Sequence, residues 1–287
     1  MPTFANLEHL IPERLKGRYW DPWAYITNVR TELGTKPAPS MASFSSRGPN
    51  ILERSILKPD ITAPGVRVIV AFTLAATGPT GEDYDKRRTA FNTESGTSMS
   101  CPHVSGIVGL LKSLHPDCCQ IGYHDKWATP FAYGAGHVQP NRAADPGLVY
   151  DLTVNDFLNY FCSHGYTAKD LKLFTDKPYN SPKSFSLTNF NYPSISVVNL
   201  NDTITVTRRV KNVGSPGKYY IHVREPTGVL VSVEPGNLEF KKLGEEKTFK
   251  VTFKLAPKWK LSSDAFGILT WSDGKHFVRS PLVVRPY

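Results

Sequence analysis

No apolar run in the 287 residues reaches the ~18 needed to span a bilayer as a helix, so a membrane partner is not expected. Met1 to Lys16 lacks the apolar core of a secretory leader, so no signal peptide is expected in this chain. Cysteine is scarce, at four residues, and none stands in a C-x-x-C spacing. A structural zinc site therefore has no ligand pattern to rest on, and no metal or other cofactor is expected. Adjacent Cys118 and Cys119 near His124 read as chance proximity, and Cys101 as a small packed hydrophobe. Concentrated charge is also missing. The formal charge is +9, but Lys and Arg are spread out in short pairs such as Arg87-Arg88, Arg208-Arg209 and Lys241-Lys242. Nucleic-acid binding would want a basic patch with interleaved aromatics, so no nucleic-acid partner is expected. A basic protein that meets anionic surfaces is the milder reading.

What is abundant is proline, at 23, among many short Val/Ile/Thr segments. That favours strands and loops over much of a chain long enough for two domains. One stretch reads as the launch of a helix: Glu94-Ser95-Gly96-Thr97-Ser98-Met99-Ser100-Cys101-Pro102-His103. Gly96 permits a tight backbone, Thr97 or Ser98 can cap the first turn, and Pro102 is tolerated early in a helix. Val104, Ile107, Val108, Leu111 and Leu114 then mark one apolar face, and Gly106 and Gly109 suggest close packing of a buried helix. Two readings of the serine follow. It is an ordinary cap, or it is a nucleophile whose developing negative charge the helix N-terminus favours.

Around this stretch, Val66 to Phe72 has the texture of a buried strand and Thr73 to Arg88 of a polar surface loop. Thr153 to Cys162 is a short amphipathic helix with Val154, Phe157, Leu158 and Phe161 on one face. From about Pro182 the period becomes two: Ile204, Val206 and Val210; Val229, Val231 and Val233; Phe249, Val251, Phe253 and Leu255. Ser272-Asp273-Gly274-Lys275 between apolar runs is a tight-hairpin signal. Regular short strands with such turns predict a β-sandwich.

Gly96-Thr97-Ser98-Met99-Ser100-Cys101-Pro102-His103-Val104-Ser105-Gly106 resembles the serine motif of the subtilisin-like serine proteases, in the variant of the plant branch. Ala42-Ser43-Phe44-Ser45-Ser46-Arg47-Gly48-Pro49-Asn50, Lys58-Pro59-Asp60-Ile61-Thr62-Ala63-Pro64-Gly65 and Phe131-Ala132-Tyr133-Gly134-Ala135-Gly136-His137 extend the resemblance. Asn191-Tyr192-Pro193 and Val206-Thr207-Arg208-Arg209-Val210-Lys211-Asn212-Val213-Gly214 resemble that family's C-terminal fibronectin-III-like domain. The resemblance implies an α/β, partial subtilisin-like protease domain, with a parallel sheet around a buried serine helix, followed by an all-β fibronectin-III-like sandwich. The expected division is an unassigned leader at 1–23, the C-terminal part of the peptidase domain at 24–150, a helical linker at 151–181 and the sandwich at 182–287. The bridge 118–127 departs from the family and reads as a deletion.

For chemistry, the resemblance implies that Ser98 is the catalytic nucleophile of a serine endopeptidase acting on polypeptides. It implies a structural-loop role for Asp60 and places His103, His115 and His137 outside the catalytic site. The family's other parts are an Asp that orients a His, the His as base, and an oxyanion Asn. No segment before Ser98 matches their motifs, and His9 is the only earlier histidine. The chain is therefore expected to be a C-terminal fragment of a secreted family, inactive as written. A homodimer or a full-length relative would be its protein partners. The rival expectations are a non-catalytic modulatory fragment acting through the fibronectin-III-like domain, and a pseudogene product. Asn201-Asp202-Thr203 is an N-glycosylation sequon that matters only on the secretory route.

Overall fold

Period-two apolar patterning from residue 195 onward becomes two packed sheets. The computed structural model describes residues 5–6, 23–24, 33–34, 36, 38–75, 78–114, 129–182 and 185–286. The chain divides into two compact units, Met1–Ser40 and Met41–Tyr287. In the first, β1 (Ala5–Asn6) pairs antiparallel with β2 (Trp23–Ala24). The bridge 118–127, Cys118, Cys119, His9, His115 and His124 lie outside the described residues.

The second unit runs through β3 (Val68–Ala71), β4 (Phe91–Glu94), α1 (Thr97–Leu114), α2 (Pro130–Tyr133), α3 (Pro140–Ala143), β5 (Leu148–Val149), α4 (Val154–Ser163) and α5 (Ala168–Leu171). The sandwich strands follow: β6 (Ile195–Val198), β7 (Thr203–Asn212), β8 (Gly217–Arg224), β9 (Val229–Glu234), β10 (Asn237–Phe240), β11 (Glu246–Leu255), β12 (Ala265–Ser272) and β13 (Phe277–Arg285). One sheet has the order β10-β8-β12-β13-β6 and the other β5-β7-β11-β9.

The alternating residues meet between the sheets. Val206, Val210, Phe249, Val251, Phe253, Leu269 and Trp271 are each at most 1% exposed. The Phe249 and Trp271 rings cross edge to face at 5.2 Å, joining one sheet to the other. Leu148 and Tyr150 belong to the same core. The sandwich therefore recruits a strand and an aromatic from well before residue 182, because β5 hydrogen-bonds along β7. The hairpin signal holds: Ser272 pairs with Phe277, and Gly274 takes φ 92° in the intervening turn.

Arg208 breaks the apolar pattern from inside. It sits on the inward face of β7 at 3% exposure. Its guanidinium donates to the carbonyls of Thr188 (2.6 Å), Thr207 (2.9 Å) and Tyr192 (3.1 Å). Five N–H donors let arginine satisfy several loop carbonyls at once. Burial brings its pKa down to about 10, which leaves it charged at neutral pH.

Upstream, the described residues depart from several expectations. The strand β3 forms, but it is not buried: Ile69 is 75% exposed. Its partner β4 runs antiparallel in a two-stranded sheet, and the parallel sheet expected around the serine helix is not among the described elements. Among the described residues, the parallel strand pair is β13 with β6, inside the sandwich. The helix α1 forms where the sequence places it, yet Leu111 is its one buried residue and Leu114 is 64% exposed. A Cβ built on Gly106 or Gly109 meets nothing within 4 Å, so these glycines serve no close approach among the described residues. The common reason is that a helix face or parallel strand is buried only by a second layer, and no described element lies on these. Cys101, on the same helix, is exposed and free, not packed.

The amphipathic helix appears as α4, closed by a capping box between Thr153 and Asp156. Leu158 on its expected face is buried at 3%, while Val154 is 65% and Phe157 46% exposed.

Candidate active site

Ser98 occupies the second residue of α1 and is exposed. Its position is set by the chain segment Ala63–Arg67, which lies against the first turn. The Gly96 N–H donates to Gly65 O at 2.8 Å, and the Ser100 hydroxyl donates to Ala63 O at 3.0 Å. The Arg67 N–H donates to the Ser95 hydroxyl at 2.9 Å. Gly65 is required for this approach: a Cβ there would sit 2.2 Å from Ser100 Oγ and 2.9 Å from Gly96 O. The β4 strand thus delivers the chain into a tightly held turn, and the serine follows at the helix start.

The local field suits an anion. No acidic residue stands in the first turn of α1, and Lys112 lies in the last turn. The positive end of the helix is therefore not neutralised by the helix's own side chains. Capping does not account for Ser98. Among the described residues its hydroxyl makes no hydrogen bond, and Met99 N–H closes the turn onto Gly96 O at 3.0 Å.

The other residues of the sequence motifs lie elsewhere in hydrogen-bonding terms. His103 Nδ1 is 2.8 Å from Met99 O, a bond within the helix, and His137 Nδ1 is 3.1 Å from Val138 O. Both imidazoles thus have Nδ1 on a backbone carbonyl, where a catalytic histidine would have a carboxylate. Asp60 is held by Lys58 at 2.5 Å and by the Tyr192 hydroxyl. Burial of Lys58 opposes its charge, but the hydrogen bonds to Asp60 and Tyr192 outweigh it and raise the ammonium pKa. Burial, with Asp60 alongside, pushes the Tyr192 phenol up to about 12. This trio ties the Lys58-Pro59-Asp60 segment to Asn191-Tyr192-Pro193, so Asp60 is a structural fastener. Among the described residues, no histidine or carboxylate is hydrogen-bonded to Ser98.

Backbone geometry completes the frame behind the helix. Thr62 N–H donates to Gly136 O at 2.9 Å and Val138 N–H to Thr62 O at 2.8 Å, a parallel bridge between Thr62 and His137. Gly134 has φ 59° and approaches Asp60 O so closely that a Cβ would lie 2.2 Å from it. These glycines explain the Gly134-Ala135-Gly136 run better than any catalytic role.

A second polar cluster escaped the sequence reading. His276 Nδ1 donates to Asp273 Oδ2 at 2.7 Å, and Nε2 lies 3.2 Å from Asp145 Oδ2. Lys275 reaches the same Asp145 oxygen at 2.8 Å. The turn signal at 272–275 was legible, but nothing local in it points to Asp145, 131 positions before His276.

Two family models match this chain: one described as "Subtilase family" over residues 16–129, and one described as "Fibronectin type-III domain" over residues 189–284. Among curated relatives, Subtilisin-like protease SBT5.4 from Arabidopsis thaliana is 53% identical, across 92% of this chain and 37% of its own length. Subtilisin-like protease SBT5.3 from the same plant is 51% identical over the same shares. Subtilisin-like protease SBT1.7, also from Arabidopsis thaliana, is 44% identical across 92% of this chain and 38% of its own. The chain thus spans little more than a third of the length of these relatives.

Proposed function

The chain belongs to the subtilase family of plant subtilisin-like proteases, and from that premise we propose that Ser98 is the nucleophile of a serine endopeptidase acting on polypeptides. The carrying observation is an exposed hydroxyl at the start of α1, on no cap duty, at a helix end without acidic neighbours in its first turn. Such a hydroxyl attacks a peptide carbonyl when a histidine takes its proton, and backbone N–H groups at the helix start help hold the resulting oxyanion. The reading extends to α1 itself, as a core helix packed on a parallel sheet in the whole protein. The open space at Gly106 and Gly109 and the uncovered Leu110 and Leu114 support it. An extracellular setting belongs to the same proposal. It is supported by the exposed sequon residue Asn201, in the turn between β6 and β7. No helix among the described residues is long and apolar enough to cross a membrane.

The 287-residue chain on its own is proposed not to turn over. A serine without a base is a weak nucleophile, and the histidines described here are committed to carbonyls or to other carboxylates, or lie off the helix. The test is labelling of the purified chain with a fluorophosphonate probe, followed by peptide mapping. Labelling far below one probe per chain is expected. Stoichiometric labelling at Ser98 overturns the second statement and leaves the first standing.

A further inference from the structure

Asn201 heads the one N-x-Ser/Thr triplet in the sequence, Asn201-Asp202-Thr203. The fold holds this triplet in an accessible form. After β6 the chain turns through Asn199 at φ 60° and buries Leu200 at 4% exposure. The Asn199 N–H donates to Arg285 O at 3.1 Å and the Leu255 N–H to Asp202 O at 3.0 Å, so the turn is pinned on both sides. Between these anchors Asn201, Asp202 and Thr203 are all exposed. Among the described residues the Asn201 side chain makes no hydrogen bond. A sugar on its amide nitrogen therefore displaces no packing and breaks no bond.

The same turn stands at the head of an open sheet edge. From Thr203 to Lys211, β7 pairs with β11 one residue to one, so its N–H groups alternate between β11 and the outer side. On the outer side β5 covers residues 211 and 212. Next along, the Arg209 N–H donates to Asn191 Oδ1 at 2.8 Å and the Thr207 N–H to Asn189 Oδ1 at 2.9 Å. The same period brings the N–H groups of Thr205 and Thr203 to this side. Both residues are exposed, and among the described residues no strand or side chain seals these two donors. An open row of backbone donors is a template for pairing with another chain, and proteins cover it, charge it or interrupt it with proline. Thr203-Ile204-Thr205-Val206 contains neither charge nor proline.

We propose that Asn201 carries an N-linked glycan, and that the glycan covers the open end of the β7 edge. The proposal rests on the extracellular setting, because only a chain on the secretory route meets the modifying enzyme. In the covalent step the Asn201 amide nitrogen displaces the diphosphate of a lipid-linked oligosaccharide from its anomeric carbon, and a base of the transferring enzyme takes the amide proton. Thr205 lies four residues on, about 13 Å along a strand, a distance that a branched oligosaccharide spans.

The test places the full chain behind a secretion leader in plant cells, so that the outcome does not depend on where the native protein resides. The chain is purified from the membrane-enclosed and the secreted fractions, and read by intact mass and by peptide mapping after peptide N-glycosidase. One glycan per chain, at Asn201, is expected. Asn201→Gln and Thr203→Ala should abolish it, and Thr203→Ser should retain it. An unmodified Asn201 in both fractions overturns the proposal and leaves the extracellular setting standing. Absence of the native protein from the extracellular fluid of plant tissue overturns that setting instead, and with it the proposal for the native protein. The covering role is read by light scattering of the glycosylated chain and Asn201→Gln at equal concentration. Asn201→Gln is expected to gain oligomer with its thermal midpoint unchanged, and Thr205→Lys in that background to restore the monomer by charging the edge. Equal association of the two chains, or no rescue by Thr205→Lys, overturns the covering role.

Discussion

The sandwich and the segment carrying Ser98 are built from equally apolar local patterns, yet only one of them buries its apolar residues. In β11, Phe249, Val251 and Phe253 vanish into a core shared with Trp271. In β3 and α1, Ile69, Leu110 and Leu114 stay 64% exposed or more. The difference does not lie in propensity, since strand and helix both form where the patterns place them. It lies in the second layer. Each strand of the sandwich faces an opposing sheet from its own chain, whereas α1 and the β3–β4 pair have no described layer across from them. A period in sequence names the face that wants burial, and only tertiary structure decides whether anything covers it.

The comparison breaks most visibly by cutting one large side chain from each region. Trp271→Ala should cost about 3–5 kcal/mol, the usual range for a large aromatic lost from a packed core. Leu110→Ser should stay within about 0.5 kcal/mol, as surface changes do. Urea unfolding of both variants checks this, and comparable losses would mean that α1 is covered after all.

Arg208 sharpens the comparison inside the sandwich, because it is a charge that the core needs. Arg208→Ala strands the carbonyls of Thr188 and Tyr192 and leaves a hole, so a loss of about 3 kcal/mol is expected. Arg208→Met, which fills the volume without donors, separates the two causes: a loss nearly as large as that of alanine points to the hydrogen bonds.

The smallest expected effect concerns pH at the hairpin. Burial opposes charge on His276, but its hydrogen bonds to Asp273 and Asp145 outweigh that and raise its pKa. Asp145 is lowered by Lys275 first and His276 second. Asp273 is lowered too, because its bonds to His276 and the Lys275 backbone overcome its own burial. Tyr219 on β8, with its hydroxyl 3.5 Å from Nδ1, faces the same imidazole and is held neutral by burial. A raised histidine contributes stability that is fully present below its unfolded value and lost as pH rises through the folded one. The lowered carboxylates contribute stability that is present above their unfolded value and lost as pH falls through the folded ones. Stability should therefore peak between the carboxylate and imidazole ranges. His276→Gln is expected to flatten the alkaline limb of the thermal-midpoint profile and, because His276 also helps hold Asp273 and Asp145 low, to weaken the acid limb in part, with Lys275 keeping the remainder. An unchanged alkaline limb would show that another group controls it.

Much of the fold was legible in advance. Alternation marked the inward faces of β7, β9 and β11, and the Ser272–Lys275 turn marked the β12–β13 hairpin. The start of α1 followed from Gly96, Thr97 and Pro102. Less legible was β5, because two residues carry no period and Leu148–Val149 is a strand only by virtue of β7 beside it. Arg208 was hidden for the opposite reason. Alternation assigned its position to the core, while its charge argued for the surface, and only the loop carbonyls around it reconcile the two.

By itself the sequence determined the family, through motifs whose residues must stand in a fixed order along the chain, and it determined Ser98 as the residue to watch. It also determined which residues seek burial, because side-chain period follows directly from helix and strand geometry. Tertiary structure alone decided that Asp60 fastens to Tyr192 and that His276 meets Asp145. Those contacts join residues 132 and 131 positions apart, and no local rule relates groups that are brought together only by the packing of the whole chain.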